Sequence, residues 1–326
     1  MQMPKFIFFI AAFLTIAACK KDDGEDVIRV PPRSLSEVAQ EDEAAIREYL
    51  ETHFYNYEEF ESPPAGFDFK IRLDTIAGDN AGKTPLADDP DLKSITFSIS
   101  SDEFGLSEEE TADHKLYYLV VREGVGPSPT VADSAYVRYR GSLLDGTEFD
   151  GSFNVPTWFD LAGIQGPQQG ARGFTEGIPA LKAGGNVVEN PDGTFTVEDY
   201  GIGLIIMPSG LGFFNAAQGI IPAYSPLIFT VDLFTLKTTD HDGDGIPSIL
   251  EDVNGDGYLY NDNTDEEQER ASGSFLRFMN YLDADDDNDG VLTIDEINLD
   301  EDGNLVLPFP DADNDGVPDH LDRDTP

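Results

Sequence analysis

The sequence has little positive charge and only one cysteine. Its 326 residues include 20 Lys and Arg against 64 Asp and Glu, for a formal net charge of -44 at pH 7. Nucleic acid is therefore not an expected partner, because phosphate binding requires patches of Lys and Arg. Cys19 is the single cysteine, which excludes a disulfide within the chain. Hydrophobic residues make up 40% of the chain, enough for the core of one or two domains.

The apolar run near the N-terminus is too short to cross a bilayer. It covers thirteen residues, Phe6 to Ala18, and follows Lys5, which predicts the core of a signal peptide. The letters LTIAAC at its end resemble a bacterial lipobox, and the resemblance implies cleavage before Cys19 and acylation of that residue. An ordinary secretory signal with a chance cysteine is the alternative. We expect a lipid anchor in the cell envelope, at the outer membrane.

The next letters, KKDDGED, resemble the export signal of surface lipoproteins in Bacteroidetes, so surface exposure stays open. Changes in composition divide the rest of the chain. Ile46, Leu50 and Phe54 recur at helical spacing and predict one helix in the N-terminal extension. The predicted segments are 1–18, signal peptide; 19–40, lipidated tether; 41–114, N-terminal extension; 115–238, globular domain; and 239–326, acidic tail.

The globular domain shows repeated strand signals and one helix signal. Lys115–Gly124 and Leu227–Leu236 predict strands, and Arg138–Phe153 predicts a hairpin with its turn at Asp145-Gly146. Thr175–Gly184 is the candidate helix. Strands that outnumber a single short helix favour an α+β fold built on an antiparallel sheet.

Motifs in this domain resemble the FKBP-type peptidyl-prolyl cis-trans isomerases. They are, in the family's order, YVRYRGSLLDGTEFDGSF, ARGFTEGIPALKAGG, IIMPSGLGFF and GIIPAYSPLIFTVDLFTL. The resemblance covers about residues 115–236. It implies a curved antiparallel sheet wrapped on a short helix, with an apolar pocket between them, and no cofactor for catalysis. The implied pocket residues are Tyr139, Phe149, Asp150, Phe174, Phe213, Ile220, Ile221 and Phe229.

Such a pocket suits isomerisation of the bond before proline. Amide resonance opposes rotation of this bond, and a dry aromatic site disfavours the charge-separated planar amide. By resemblance Asp150 holds the twisted carbonyl, but it could equally be a structural carboxylate that accepts a hydrogen bond from a neighbour. The family usually has Trp where this chain has Phe174, and Tyr where it has Phe213. Trp158 and Thr157 align equally well with a further pocket aromatic.

Three functions are consistent with these residues. The first is an envelope-anchored isomerase that assists the folding of exported proteins and binds their proline-containing, unfolded segments. The second is a proline-binding or chaperone module with little turnover. The third is a surface structural lipoprotein that calcium stiffens. A proline-isomerisation assay with and without calcium would distinguish them.

The acidic residues are concentrated in the tail. Residues 240–326 hold 27 Asp and Glu against three Arg, which accounts for -24 of the net charge of -44. Two stretches, Asp240–Glu251 and Asp285–Glu296, match the calcium-loop template D-x-[DN]-x-[DN]-G-x5-E in full. Oxygens at positions 1, 3, 5 and 12 converge on one cation, the carbonyl at position 7 adds a ligand, and Gly at position 6 permits a sharp turn.

Partial matches follow each complete one, at Asp252–Asn263 and Asp311–Asp322. We name the loops first to fourth in chain order. Oxygen ligands favour Ca²⁺ over zinc, and the array resembles thrombospondin type 3 or EF-hand-like repeats; the alternative is a disordered acidic spacer. The predicted ligands are Asp240, Asp242, Asp244, Ile246 and Glu251 in the first loop, Asp252, Asn254 and Asp256 in the second, Asp285, Asp287, Asp289, Val291 and Glu296 in the third, and Asp311, Asp313, Asp315 and Asp322 in the fourth.

Overall fold

The structure is a computed structural model that describes residues 31–153, 155–189, 195–273 and 278–325. Arg33–Pro326 forms one compact unit. Within those described ranges, no helix combines the length and the apolar character needed to span a membrane. The predicted signal peptide and Cys19 lie outside the described residues.

Strands of 3 to 12 residues outnumber the α-helices among the described elements. The helices are α1 (Leu35–Thr52), α2 (Tyr57–Glu61), α3 (Arg172–Gly177), α4 (Glu266–Ser272) and α5 (Thr293–Glu296). The strands are β1 (His53–Tyr55), β2 (Leu73–Thr75), β3 (Leu92–Ser100), β4 (Thr111–Arg122), β5 (Ser134–Leu143), β6 (Glu148–Gly151), β7 (Thr157–Asp160), β8 (Val187–Glu189), β9 (Phe195–Val197), β10 (Gly201–Met207) and β11 (Leu227–Lys237).

One antiparallel sheet organises the molecule, as the strand signals predicted. Its strands lie in the order β3-β4-β10-β11-β5-β6. Strand β6 pairs with the end of β5, and β7 pairs with its beginning. The register shifts between β4 and β10, between β5 and β11, and between β5 and β6. Bulges of this kind bend strands and increase their twist, so the sheet curves.

Helix α3 lies directly on one face of the sheet because two of its residues have no side chain. Gly173 and Gly177 stand one helical turn apart and face β10. A Cβ atom at Gly173 would lie 2.6 Å from Met207 Sδ, and one at Gly177 would lie 2.6 Å from Ile205 Cδ1. Such distances are far below van der Waals contact, so only glycine allows this approach.

The helix was predicted over Thr175–Gly184 but begins earlier and is shorter. It starts at Arg172, ends at Gly177 and continues as a single 3-10 turn, Ile178–Ala180. Pro179 explains the end of the α-helix, because proline has no N–H with which to extend the hydrogen-bond ladder.

Helix α1 covers the opposite face of the sheet. Ile46 and Leu50 belong to a buried cluster with Leu119 of β4, Ile206 of β10 and Ile228 of β11. The helical spacing predicted this apolar side of the helix, whereas Phe54 lies in β1, just beyond the end of α1. The sheet therefore includes β3 and is covered by α1, both of which precede the predicted domain boundary at residue 115.

The acidic tail packs against the globular domain through a small apolar cluster. Leu259 and Tyr281 of the tail are buried with Ala132 and Ala162. Gln165, which is fully buried, donates from Nε2 to the Gly257 carbonyl at 2.9 Å and accepts from the Leu259 N–H at 3.0 Å. These contacts seat the second loop on the connection that follows β7.

We predict that Leu50→Ala destabilises the protein by about 2–5 kcal/mol, since it removes buried methyl groups and leaves a cavity against the sheet. Equilibrium denaturant unfolding measures the change. Glu51→Ala is the matched control, because Glu51 is exposed on the same helix. Equal effects of the two substitutions would show that α1 does not pack on the sheet in solution.

Candidate functional site

A cavity of about 670 Å³ lies between α3, the sheet and the connection from β10 to β11. All eight predicted pocket residues border it. Tyr139 comes from β5, Phe149 and Asp150 from β6, and Phe229 from β11. Phe174 comes from α3, and the connection supplies Phe213, Ile220 and Ile221. The structure thus brings these residues together, while their catalytic role stays a prediction.

Aromatic rings form the inner wall of the cavity, and they meet edge to face. The Phe174 ring is 5.1 Å from that of Phe229 and 5.4 Å from that of Phe159. The Tyr139 ring lies 5.2 Å from Phe159, and the Phe149 ring lies 5.7 Å from Phe229. Edge-to-face pairs at such spacings are favourable, so the rings hold one another in place. Phe174 is only 3% exposed and forms the floor.

Asp150 stands at the rim, where its carboxylate is exposed to solvent. The Tyr139 hydroxyl donates to Asp150 Oδ2 at 2.6 Å, and the Gly151 N–H donates to Oδ1 at 2.8 Å. Burial, together with this hydrogen bond, raises the pKa of Tyr139, which keeps the phenol protonated as a donor. The carboxylate therefore has a structural partner at the edge of an apolar cavity, and both interpretations of Asp150 are compatible with this geometry.

The connection from β10 to β11 is fixed by a buried carboxylate from α1. Asp42 accepts hydrogen bonds from the N–H of Ser209 at 2.7 Å and from its hydroxyl at 2.6 Å. Burial raises the pKa of Asp42 to about 6, although both Ser209 hydrogen bonds act in the opposite direction. Farther along the connection, Gln218 and Ile221 exchange backbone hydrogen bonds and close a turn at the rim. Ile220, within that turn, is 59% exposed.

The further pocket aromatic is Phe159, and neither Trp158 nor Thr157 takes that position. Successive side chains on a strand point to opposite faces. On β7, Phe159 enters the cavity, while Trp158 is 49% exposed and packs on Tyr136. Apolar alternation along β7 could have shown this, had the register been known. Other lining residues that sequence reasoning missed are Ile164, Gln169, Gly170, Ala171, Gln218 and Gly219.

The four acidic loops share one backbone conformation. In each, the N–H of position 5 donates to the side chain of position 3, and the N–H of position 7 donates to that of position 5. In the first loop these distances are 3.2 and 2.7 Å, and in the fourth loop they are 3.0 and 2.8 Å. The second and third loops have the same pair of bonds. One side-chain oxygen at each of these positions is thus engaged by the backbone. In the first and third loops the other oxygen, Oδ2 of Asp242, Asp244, Asp287 and Asp289, has no hydrogen-bond partner.

Two positions in each loop adopt a left-handed backbone. At position 6 it is always glycine, with φ of 96° at Gly245 and 100° at Gly290. Position 4 is glycine or asparagine, the residues that tolerate this conformation best, with φ of 82° at Gly243 and 55° at Asn288. The preference at position 4 is a signal that the twelve-residue template does not contain.

Carboxylates converge within and between the loops. In several groups the candidate ligand oxygens all lie within 4.8 Å of one another. The groups that contain predicted ligands include Asp240, Asp242 and Asp244; Asp285, Asp287 and Asp289; Asp252, Asp256 and Asp262; and Asp244, Glu251 and Asp286. Sequence reasoning missed Asp262, Asp286, Asp265, Glu269 and Asp283, of which the last three form a group of their own.

The closing carboxylates of the first and third loops are buried without hydrogen-bond donors. Both side-chain oxygens of Glu251 and of Glu296 lack a partner. Burial raises the pKa of Glu251 to about 10, with smaller contributions from Asp242 and Asp244. Asp322, at the end of the fourth loop, instead accepts from the Asp324 N–H and the Thr325 hydroxyl. Orphaned carboxylate oxygens fit a divalent cation, which would keep them ionised without donors.

The second loop also touches the helix that carries the cavity floor. The Arg172 guanidinium stacks over the Tyr258 ring at 3.9 Å, and Tyr258 is position 7 of the loop. His241 of the first loop makes a second contact, with its Nε2 3.0 Å from Asp160 Oδ1. Phe159 and Phe174, neighbours of these contact residues, line the cavity. The tail and the cavity therefore lie on opposite sides of the same wall.

Comparison with known proteins identifies the family of the globular domain. FK506-binding protein 1 of Dictyostelium discoideum is 30% identical over 118 residues, which are 36% of this chain and 94% of that protein. The chain belongs to the FKBP-type peptidyl-prolyl isomerase family. The resemblance of the globular domain's motifs to the FKBP family is thereby confirmed.

Two further similarities involve a longer FKBP protein. FkpA of Escherichia coli strain K12 is 32% identical over 130 residues, which cover 39% of this chain and 40% of FkpA. The chain thus spans less than half the length of this relative. The crystal structure of FkpA aligns with 37% of this chain and 48% of that chain, at 33% identity and a TM-score of 0.30. Separately, the family described as BamM C-terminal matches residues 241–310, within the acidic tail.

Proposed function

We propose that the FKBP domain catalyses cis–trans isomerisation of X–Pro peptide bonds in the aromatic cavity. The observation that carries this proposal is the cavity itself: an apolar wall of interlocked rings with one carboxylate at its rim. The chemistry breaks no bond and needs no cofactor. Rotation about an amide crosses a barrier of roughly 18–20 kcal/mol, which is set by resonance.

The cavity would lower this barrier by favouring the twisted amide. A planar amide carries separated charge, which an apolar wall solvates poorly, while the twisted amide has lost that resonance. The prolyl ring would lie against Phe174 and Phe229, and the preceding carbonyl would lie at the rim. There the Tyr139–Asp150 pair would orient the carbonyl without transferring a proton.

A second candidate is a proline-binding or chaperone domain with slow turnover. The polar groups at the rim favour it, because few of them are free to hold a carbonyl. The Tyr139 hydroxyl donates to Asp150, and the N–H of Ile221 donates to the Gln218 carbonyl. Phe213 contributes no hydroxyl. Binding without catalysis would then be the main activity.

Neighbouring residues on β7 test the cavity. We expect Phe159→Ala to lower kcat/KM for a proline-containing peptide by roughly tenfold, because a ring that contacts both Tyr139 and Phe174 is lost; losses of about 1.4 kcal/mol have this effect. Trp158→Ala should leave kcat/KM unchanged, since Trp158 faces away from the cavity. Exchange spectroscopy on the peptide measures the rate, and circular dichroism checks folding.

The two candidates separate in the same assay. If the wild-type protein binds the peptide without accelerating its exchange, and Phe159→Ala weakens that binding, the domain is a binding module and not an isomerase. Equal effects of Phe159→Ala and Trp158→Ala would show that the cavity is not the site of either activity.

We further propose that the protein is anchored in the cell envelope through acylated Cys19 and acts on exported polypeptides. The support is the lipobox-like LTIAAC after a thirteen-residue apolar run. We expect Cys19→Ala to move the protein from the membrane fraction to the soluble fraction, because Cys19 is the proposed attachment point of the acyl chains. Stable anchoring needs two or more such chains. Cys19→Ala protein that still sediments with membranes would point to another anchor.

For the tail we propose structural calcium binding at the acidic loops. The support is the shared loop conformation, the convergent carboxylates and the orphaned oxygens of Glu251 and Glu296. Without a cation, charges a few ångströms apart repel one another, by about 1 kcal/mol per pair even in water. Calcium would cancel this repulsion and order a segment with few apolar residues.

Calorimetry on the full chain tests the calcium proposal. Asp287→Asn keeps an oxygen that accepts from the Asp289 N–H but removes a charge from the third loop. We expect it to weaken one site roughly tenfold or more, since even residues that only support metal ligands change affinity 10–100-fold. Asp295→Asn, an exposed change in the same loop, is the control. If the wild-type protein binds no calcium, the alternative remains, in which the tail is an acidic spacer.

A further inference from the structure

Asp286 belongs to the third loop by sequence but to the first loop by position. Asp285 and Asp287, on either side of it, converge with Asp289 in their own group. The Asp286 carboxylate instead converges with Asp244 and Glu251 of the first loop, with the three ligand oxygens within 4.8 Å of one another. Consecutive aspartates thus direct their carboxylates into two different clusters. Position 2 of a calcium loop is not a ligand position in the sequence template.

Burial distinguishes this cluster from acidic residues on a surface. Asp244, Glu251 and Asp286 are 2%, 3% and 2% exposed, respectively. Neither oxygen of Glu251 nor either oxygen of Asp286 has a hydrogen-bond donor. Asp242 Oδ2 and Asp244 Oδ2, in the same loop, are also buried without a donor. The N–H of Asp286 itself is engaged elsewhere, since it donates to Thr293 Oγ1.

The positive charge needed to offset these carboxylates is not supplied by nearby side chains. Among the residues that the structure describes, no ion pair joins Asp242, Asp244, Glu251 or Asp286 to a basic group. The nearest histidine in sequence, His241, is engaged with Ser248 and Asp160. Ionised carboxylates removed from water without donors or counter-ions are strongly unfavourable, and a bound cation would offset their charge.

We propose that Asp286 is a ligand of the calcium ion in the first loop, so that the first and third loops share one site. This inference rests on the proposed calcium binding of the tail. The donors fit the ion: Asp242, Asp244, Glu251 and Asp286 present six unpartnered oxygens, and Ca²⁺ takes 6–8 oxygen ligands. Mg²⁺ is less suited, because it keeps several waters and seldom occupies sites formed by protein carboxylates alone.

A shared ligand couples the two loops. Calcium in the third loop, held by Asp285 and Asp287, positions the residue between them. The Asp286 carboxylate is then already placed to bind the ion of the first loop, and an ion in the first loop in turn restrains the third loop. Binding at the two loops is therefore positively cooperative, although they are separated in sequence by the second loop and α4.

Calcium titrations of the full chain test this arrangement. We expect Asp286→Asn to weaken the same site as Asp244→Asn, by roughly tenfold or more. The double variant should lose that one site and no other, since both side chains serve the same ion. Asp295→Asn, in the same loop and exposed, should titrate like the wild type.

Thermal unfolding separates a ligand from a structural carboxylate. With calcium present, Asp286→Asn should lower the midpoint. With chelator it should leave the midpoint unchanged or raise it, because one like charge has left the cluster. Lower midpoints under both conditions would overturn the proposal, as would a calcium titration of Asp286→Asn that matches Asp295→Asn. If the wild type binds calcium and Asp286→Asn does not change the titration, only the shared site is refuted. If the wild type binds no calcium, the calcium proposal is refuted as well.

Discussion

Burial of both faces of one curved sheet holds the remaining parts of the molecule in position. On one face, glycines in α3 bring Phe174 down onto β10 and so place the floor of the cavity. On the other face, α1 supplies Ile46 and Leu50, and its Asp42 fixes the start of the connection that forms the rim. An element far from the cavity in sequence thus anchors the connection that carries one of its walls.

The acidic tail obeys a different constraint, because repulsion opposes its compact form. Few apolar side chains are available there, and Leu259 and Tyr281 supply the main contact with the FKBP domain. Gln165 adds hydrogen bonds to the backbone of the second loop. The loops themselves must supply the rest of the ordering. Backbone N–H groups hold their side chains, and in the first and third loops this leaves carboxylate oxygens without a partner. The two halves of the chain are therefore stabilised by opposite means and meet along α3 and the connection after β7.

Local patterns in the sequence were sufficient for much of this arrangement. Strand alternation predicted the hairpin at Asp145-Gly146, and the motifs of the FKBP family indicated eight of the residues that border the cavity. Where two neighbours were equivalent in an alignment, as Trp158 and Thr157 were, the strand register decided for Phe159, and register depends on pairing with β5. Asp286 lay beyond prediction for a similar reason. A twelve-residue template describes one loop at a time, whereas the Asp286 carboxylate joins the cluster of the first loop through a tertiary contact.

The position of Tyr258 has a thermodynamic consequence. Its ring packs on Arg172, only two residues from Phe174, so the second loop and the cavity share one short helix. Occupants of the two sites that favour the same placement of α3 would strengthen each other's binding, and the coupling free energy must be the same in both directions. A polypeptide held in the cavity would then raise the affinity of the tail for its ion by the factor by which the ion raises the affinity for the polypeptide. Under the two proposed functions, a bound polypeptide would in that way act as an effector of ion binding.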